Sequence, residues 1–214
     1  MNQYPISETL DRLGFSKGNI IEIILTTLNP NGTINAAPMG VVRDQTNSII
    51  VRPYKSSNTY RNLKKSRKAC INTTNKPELF FITAFKDINS DLFPQPTFQD
   101  LAIREADASI HIEVSKEEDV NFDRPFFFSK IASINISNLF PIAFSRGRSQ
   151  AIEAVVHATH LEYQIKMSKL LEEDRVKQFN RCKEVVQNVS LINSPESMVV
   201  LEIEKLLLSW RNIK

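Results

Sequence analysis

Residues 52–62 combine charge, hydroxyl groups and a helix-starting pattern in a way that suits a phosphate group. They read Arg-Pro-Tyr-Lys-Ser-Ser-Asn-Thr-Tyr-Arg-Asn, which predicts the end of a strand, a capping turn and then a basic helix. The start of a helix presents unpaired N–H groups and a positive dipole end, and both favour a dianionic phosphate. Arg52 and Lys55 would add charge-assisted hydrogen bonds, and the hydroxyls of Ser57 and Thr59 would complete the cage. An ordinary N-cap cluster is the alternative interpretation.

A second segment, residues 35–40, has the composition of a strip against which a flat ring can lie. It reads Asn-Ala-Ala-Pro-Met-Gly inside a predicted strand. Proline removes a ladder donor and glycine removes a side chain, so both belong at a sheet edge or where another group approaches the backbone closely. Free amide and carbonyl groups along such an edge could pair with a planar heterocycle. The alternative is a plain edge strand in which proline prevents aggregation. Together, the two segments fit a mononucleotide with a planar head.

Positive charge is concentrated in the same part of the chain. Between Asp44 and Glu78 there are eight basic residues and no acidic one, whereas the whole chain of 214 residues has a net charge of +3. A local positive field attracts phosphates on a small anion or on nucleic acid. Nucleic-acid binding through residues 52–68 is therefore a further hypothesis, and it predicts affinity that falls steeply with salt. The hydroxyl-rich residues 56–59 favour a single phosphate instead.

Composition excludes several classes of protein. The five glycines form neither a GxGxxG nor a GxxxxGK[ST] pattern, which excludes a Rossmann fingerprint and a P-loop. Cys70 and Cys182 are the two cysteines and form no CxxC motif, so we expect neither a disulfide framework nor a cysteine zinc site. The apolar stretch 20–25 is too short to span a bilayer, and the N-terminal residues lack a signal pattern. We therefore expect a cytoplasmic protein without a membrane partner.

Three side chains near the middle of a predicted helix have metal-ligand spacing. Glu153, His157 and His160 lie at positions i, i+4 and i+7, which places them on one helix face. Such a set could ligate zinc or iron, but no second carboxylate–histidine helix accompanies it, so we predict no metal site. Their role stays open. We also assign no catalytic residue, because no nucleophile has local activation signals.

The elements that must position these segments form an antiparallel β domain followed by helices. Short runs of β-branched residues bounded by turns predict strands, and runs with helical spacing predict helices. The predicted strands are 19–28, 33–42, 48–52, 69–74, 109–114 and 126–136. A helix is predicted for 56–65, a helical insertion for about 77–107, and helical spacing from 149 onward. We therefore expect an α+β chain with a β domain over 1–146 and a helical C-terminal subdomain over 147–214.

Four blocks carry a resemblance to known proteins. They are the strand 21–27, the run 35–41, residues 52–63, and Glu-Ala-Val-Val-His-Ala-Thr at 153–159. On these blocks the chain resembles the split barrels of flavin-reductase type that bind flavin mononucleotide (FMN). More closely, it resembles the archaeal family catalogued as domain of unknown function 447. The resemblance implies an antiparallel FMN-binding split β-barrel with a helical C-terminal segment. It also implies a homodimer with FMN near the subunit interface.

The resemblance also implies site residues and an activity. Residues 37–41 would line the isoalloxazine ring and four residues of 52–59 would hold the phosphate. The complete implied set is Asn35, Ala37, Pro38, Met39, Gly40, Val41, Arg52, Tyr54, Lys55, Ser57, Asn58, Thr59 and Asn62. His160 departs from the family pattern, where an arginine is expected. The implied activity is that of an oxidoreductase that takes hydride from a nicotinamide or another reductant, and a non-catalytic flavin-binding module is the alternative.

Overall fold

The computed structural model describes most of the chain and divides it into two compact units. The described residues are 4–15, 17–18, 20–44, 47–86, 101–119, 123–137, 146–167, 172–191 and 197–210. The first unit comprises 1–74 and 87–140, and the second comprises 75–86 and 141–214. The domain boundary predicted after residue 146 adjoins residues 138–145, which lie outside the described ranges.

The first unit contains a closed antiparallel barrel of six strands. The strands are β1 Ile20–Leu28, β2 Ile34–Arg43, β3 Ile49–Val51, β4 Lys68–Thr73, β5 Ala108–Glu118 and β6 Phe126–Ile136. Their order around the barrel is β1-β2-β3-β6-β5-β4, and β4 closes the barrel by pairing with β1. The predicted antiparallel barrel with helices is therefore confirmed.

Alternation along β1 and β2 sets which residues face the barrel interior. Ile23 and Leu25 are fully buried in the core, and their cross-strand partners on β2 are Met39 and Ala37. Because cross-strand partners share a face, Met39 and Ala37 also point inward. A tight turn joins the strands, and in it Gly32 has a φ of 84°, which favours glycine.

The barrel interior is closed at its two ends by different elements. Near the end of β2, the side chain of Arg43 is fully buried beside helix α1, Ile6–Arg12. Its guanidinium donates to Asp11 Oδ1 at 2.6 Å, Ser7 Oγ at 2.9 Å, the Phe15 carbonyl at 2.9 Å and Asn47 Oδ1 at 2.6 Å. Buried N–H groups need such acceptors because desolvation without a partner is costly. Helix α2, Asn58–Ser66, packs against the start of β2.

The predicted helical insertion over 77–107 is correct only in part. Helix α3, Pro77–Phe85, belongs to the second unit. Residues 87–100 lie outside the described ranges, and 101–107 form turns and irregular backbone rather than the predicted helix. Side chains of the barrel replace helical bonds there, since Thr26 Oγ1 donates to the Leu101 carbonyl at 2.6 Å and the Ile103 N–H donates to Asn72 Oδ1 at 2.7 Å.

The second unit is helical. Besides α3 it contains α4 Arg146–Lys166, α5 Glu172–Leu191 and α6 Ser197–Trp210. Helix α4 packs against the other three helices through a buried stripe that includes Ala154, Ala158 and Leu161. Among the described residues, no helix is both long and apolar enough to cross a bilayer.

Candidate functional site

The first half of β2 has one open edge. Along its other edge, β2 pairs with β1 from Ile34 to Val42. Strand β3 pairs with β2 only at Val41, Val42 and Arg43, because β3 is three residues long. In the described part of the chain no strand pairs with this side of β2 over 34–40, so alternate residues there direct N–H and C=O groups that no strand satisfies toward this edge.

The predicted ring-lining residues contribute to this gap unequally. Val41 is fully buried and Met39 packs against the core, so their side chains face the barrel interior and only their backbone can reach the edge. Pro38 and Gly40 lie on the outer face by alternation. A Cβ at Gly40 would lie 2.8 Å from Ile20 Cγ2 and 3.2 Å from Glu22 Oε1. The close approach that requires glycine therefore comes from β1.

The chain leaves β3 through a loop that caps α2. Ser57 is the N-cap, and its Oγ accepts from the Tyr60 N–H at 3.1 Å and donates to the Tyr54 carbonyl at 2.7 Å. Asn58, the first helical residue, accepts from the side chain of Arg61. By helix geometry the N–H groups of Asn58 and Thr59 have no intrahelical acceptor, so they are available to an external anion. The helix predicted for 56–65 is present, and it begins two residues later, at Asn58.

Asn35 joins the two segments that the sequence singles out. Its Nδ2 donates to Thr59 Oγ1 at 3.0 Å and to Thr27 Oγ1 at 3.2 Å. Asn62 completes the network by donating to Thr27 Oγ1 at 3.0 Å and to Asn29 Oδ1 at 2.8 Å. Thr59 and Asn62 are almost fully buried. These side chains therefore fix the start of α2 against the open edge of β2.

The two cations predicted for the phosphate cage are held differently. Lys55 Nζ lies 2.8 Å from the carboxylate of Asp119, and both side chains are partly exposed, at 39% and 46%. The guanidinium carbon of Arg52 lies 4.2 Å from the ring centre of Phe126. Arg52 Nε is buried and has no hydrogen-bond partner among the described residues. One cation is thus paired with a carboxylate, and the other retains an unsatisfied donor.

Two glutamates of β5 form ion pairs with lysines in the rest of the basic segment, residues 60–68. Lys64 Nζ lies 3.5 Å from Glu117 Oε1, and Lys68 Nζ lies 3.4 Å from Glu113 Oε1. A hydrogen bond from Lys64 to the Tyr60 hydroxyl, together with the charge of Glu117, raises the pKa of Lys64 above its usual value. These pairs reduce the net positive potential that the sequence alone predicts for residues 52–68.

Comparison with models of protein families assigns the chain to a family. The family model described as "Protein of unknown function (DUF447) N-terminal domain" matches residues 21–138. The chain belongs to the DUF447 family. The match spans the barrel strands, the open edge of β2 and the start of α2, so the candidate site of this DUF447 chain lies within the family domain.

Two solved structures share the fold of this DUF447 chain. An FMN-bound protein of the same family from Methanosarcina mazei is 24% identical with a TM-score of 0.72, and the match covers 94% of this chain and 99% of that one. The flavin reductase HpaC, in complex with NADP+, is 16% identical with a TM-score of 0.50, covering 65% of this chain and 90% of that one. The expected resemblance to split-barrel flavin proteins is confirmed at the level of the fold.

Three residues beside the cage are absent from the predicted site. Asp119 pairs with Lys55, Phe126 lies under Arg52, and Arg124 Nε donates to the Arg52 carbonyl at 2.9 Å. All three lie in or between β5 and β6, far along the chain from residues 52–62. Only the barrel order, which places β6 beside β3, brings them to the site.

His157 and Cys182 belong to the helical second unit. His157 Nε2 lies 3.0 Å from Glu153 Oε1 on α4. Among the described residues, no group of three or more His, Cys, Asp or Glu side chains could hold a metal ion. Burial raises the pKa of Cys182 to about 12, and an acidity that low does not suit a nucleophile.

Proposed function

We propose that the chain binds FMN, with the isoalloxazine ring along the open edge of β2 and the phosphate at the start of α2. The observation that carries the proposal is the junction itself, where the open edge of β2 and the capped end of α2 are fixed together by the Asn35–Thr59 hydrogen bond. A ring site and an anion site are thereby adjacent. The FMN-bound family member with the same fold supports the assignment.

The donor set at the phosphate end fits a dianion. Arg52 retains a buried Nε without a described partner, which is a donor that an acceptor oxygen would satisfy. Lys55 is a second cation, and the N–H groups of Asn58 and Thr59 add the positive end of the helix dipole. The Ser57 hydroxyl already donates to one group and accepts from another, so its main role here is to shape the cap.

The isoalloxazine ring of FMN would be recognised mainly by backbone groups of β2. Ala37, Met39 and Val41 have inward side chains, so the contribution of 35–41 to a ring consists of amide and carbonyl groups together with Pro38 on the outer face. Backbone groups at a fixed strand edge suit a heterocycle whose donors and acceptors alternate along one side. Tyr54 and Asn62 complete the set as residues that hold the loop and the helix.

The reaction that we propose is hydride transfer of flavin-reductase type, with a reduced nicotinamide as the reductant. When bound, FMN supplies the redox chemistry, and the protein binds and orients it. This accounts for a site that is rich in binding groups and in which the described residues form no nucleophile–base pair. A non-catalytic flavin-binding module is the second candidate. Oxidation of NADH or NADPH by the FMN-loaded chain distinguishes the two, since a binding module retains FMN without turnover.

The binding proposal is tested by Lys55→Ala, with Lys65→Ala as the control. Both are lysines of the basic segment, but Lys65 lies in the last turn of α2, away from its N-terminal end. We expect the Lys55 variant to lose FMN affinity, measured by quenching of flavin fluorescence, while keeping its melting temperature. The Lys65 variant should bind as the parent does. Equal FMN affinity in the parent and the Lys55 variant would remove Lys55 from the site.

We also propose a homodimer, as the family resemblance implies. Helix α6 exposes Met198, Leu201 and Leu208 on one face, with exposed fractions of 67%, 47% and 63%. An apolar stripe of this kind favours association. Light scattering after gel filtration measures the oligomeric state. The double variant Leu201→Glu/Leu208→Glu should be a monomer if α6 forms the interface. Dimers that persist in this variant would place the interface elsewhere.

A further inference from the structure

Two arginine–aromatic pairs cross between the loop after β3 and the start of β6. The guanidinium carbon of Arg52 lies 4.2 Å from the ring centre of Phe126, and that of Arg124 lies 4.6 Å from the ring centre of Tyr54. Each segment supplies one arginine and one ring. The two segments are therefore interlocked, and neither can shift without breaking both pairs.

Hydrogen bonds to backbone carbonyls reinforce the same junction. Arg124 Nε donates to the Arg52 carbonyl at 2.9 Å, and the Lys55 N–H donates to the Asp123 carbonyl at 2.9 Å. The Tyr54 carbonyl in turn accepts from both the N–H and the hydroxyl of Ser57, at 2.9 and 2.7 Å. The residues just before β6 thus fix the loop that carries both cations and the cap of α2.

The stacked guanidinium groups keep donors for a ligand. A guanidinium that lies over a ring uses its flat face, and its Nη groups still donate in the plane of the group. Toward the described residues, the Nη groups of Arg52 and Arg124 make no hydrogen bond, and neither arginine forms an ion pair with a described carboxylate. Phosphate oxygens are the partners that such paired donors fit.

We propose that Arg124 is a second guanidinium of the phosphate site, which also positions the loop after β3, and that Phe126 is the platform that orients Arg52. The interlocked pairs make the site selective for a flavin that carries a terminal phosphate monoester over the same flavin without phosphate. This inference rests on the proposed FMN binding. It adds Arg124 and Phe126, at and just before the start of β6, and it names the phosphate as the part of the ligand that they recognise.

The test compares FMN with riboflavin, which has the same ring and no phosphate. Dissociation constants for both flavins are measured by fluorescence quenching with the full chain. The variants are Arg124→Gln, Arg124→Lys and Phe126→Leu. The matched control is Arg12→Gln, because Arg12 is also stacked on a ring, at 4.1 Å from the ring centre of Tyr4, but lies on α1. Melting temperatures establish that each variant is folded.

We expect Arg124→Gln to weaken FMN binding about tenfold and to leave riboflavin binding unchanged. Phe126→Leu should act in the same direction, since Arg52 loses its platform. Arg124→Lys should fail to restore affinity, because lysine carries the charge without the planar fork. Arg12→Gln should bind both flavins like the parent.

Three results would overturn the inference. The first is unchanged FMN affinity in Arg124→Gln, and the second is an equal loss of FMN and riboflavin binding in that variant. The third is parental FMN affinity in Arg124→Lys, because a positive charge without the planar fork would then be sufficient. A parent chain that binds neither flavin would instead refute the proposed function itself. The two failures are therefore distinguishable.

Discussion

Replacing Asp119 with asparagine is expected to tighten FMN binding. Lys55 is the exposed cation of the proposed phosphate site, and its ammonium lies 2.8 Å from the Asp119 carboxylate. A phosphate that takes Lys55 must displace that carboxylate, and a carboxylate left beside a dianion also repels it. Asp119→Asn removes both the competitor and the repulsion and keeps the side-chain size.

The exposure of the pair sets the magnitude. Lys55 and Asp119 are 39% and 46% exposed, so solvent screens their attraction. Exposed pairs of this type contribute about 0.2–1 kcal/mol, which corresponds to a change in affinity of up to about fivefold. We therefore expect the dissociation constant for FMN to fall about two- to fivefold in low salt. The gain should shrink in 1 M salt, where the Debye length is about 3 Å.

Fluorescence titration with FMN and riboflavin measures the effect, and Glu113→Gln is the matched control. Glu113, on β5, pairs with Lys68 at 3.4 Å with similar exposure, but at the other end of the basic segment. Riboflavin binding should be unchanged in both variants. Weaker FMN binding in Asp119→Asn would refute the reasoning, because Asp119 would then support the bound state rather than compete with it.

Two further predictions concern stability and thiol chemistry. Asn62→Ala is expected to lower the free energy of unfolding by about 1–3 kcal/mol in urea titration, because half-buried Asn29 Oδ1 loses its Asn62 donor and buried Thr27 Oγ1 keeps only the bond from Asn35. Loss of FMN binding at unchanged stability would instead make Asn62 a ligand-contact residue. Burial raises the pKa of Cys182 to about 12, so at pH 8 its thiol is protonated and should react with a disulfide reagent only after unfolding. Rapid modification of Cys182 in the folded chain would contradict the buried environment.

Local signals predicted those parts of the site that are local in the chain. An edge position or a close backbone approach was expected in β2 from Pro38 and Gly40, and a capping turn before α2 was expected from the polar residues 56–59. Both depend on backbone preferences that a few neighbouring residues decide. The barrel strands were predicted for the same reason.

The missing parts depend on which strands become neighbours. Asp119 and Arg124 flank the connection between β5 and β6, and nothing in their local sequence distinguishes them from other surface charges. Only the pairing of β3 with β6 brings them to the loop after β3. Arg43 illustrates the same limit, since its burial depends on α1 and on Asn47 supplying acceptors. The irregular backbone at 101–106 also depends on distant side chains, Thr26 and Asn72, that satisfy it.

The double role of several site residues determines which substitutions are informative. Asn35, Thr59 and Asn62 join β1 and β2 to α2 inside the first unit, so changing any of them alters the frame as well as the ligand contacts. A loss of flavin binding in such a variant has two explanations. Lys55 and Asp119 are partly exposed and contribute little to folding, because exposed ion pairs are weak. Changes of opposite sign at these two positions, with unchanged melting temperature, would place the phosphate at the start of α2 without involving the frame.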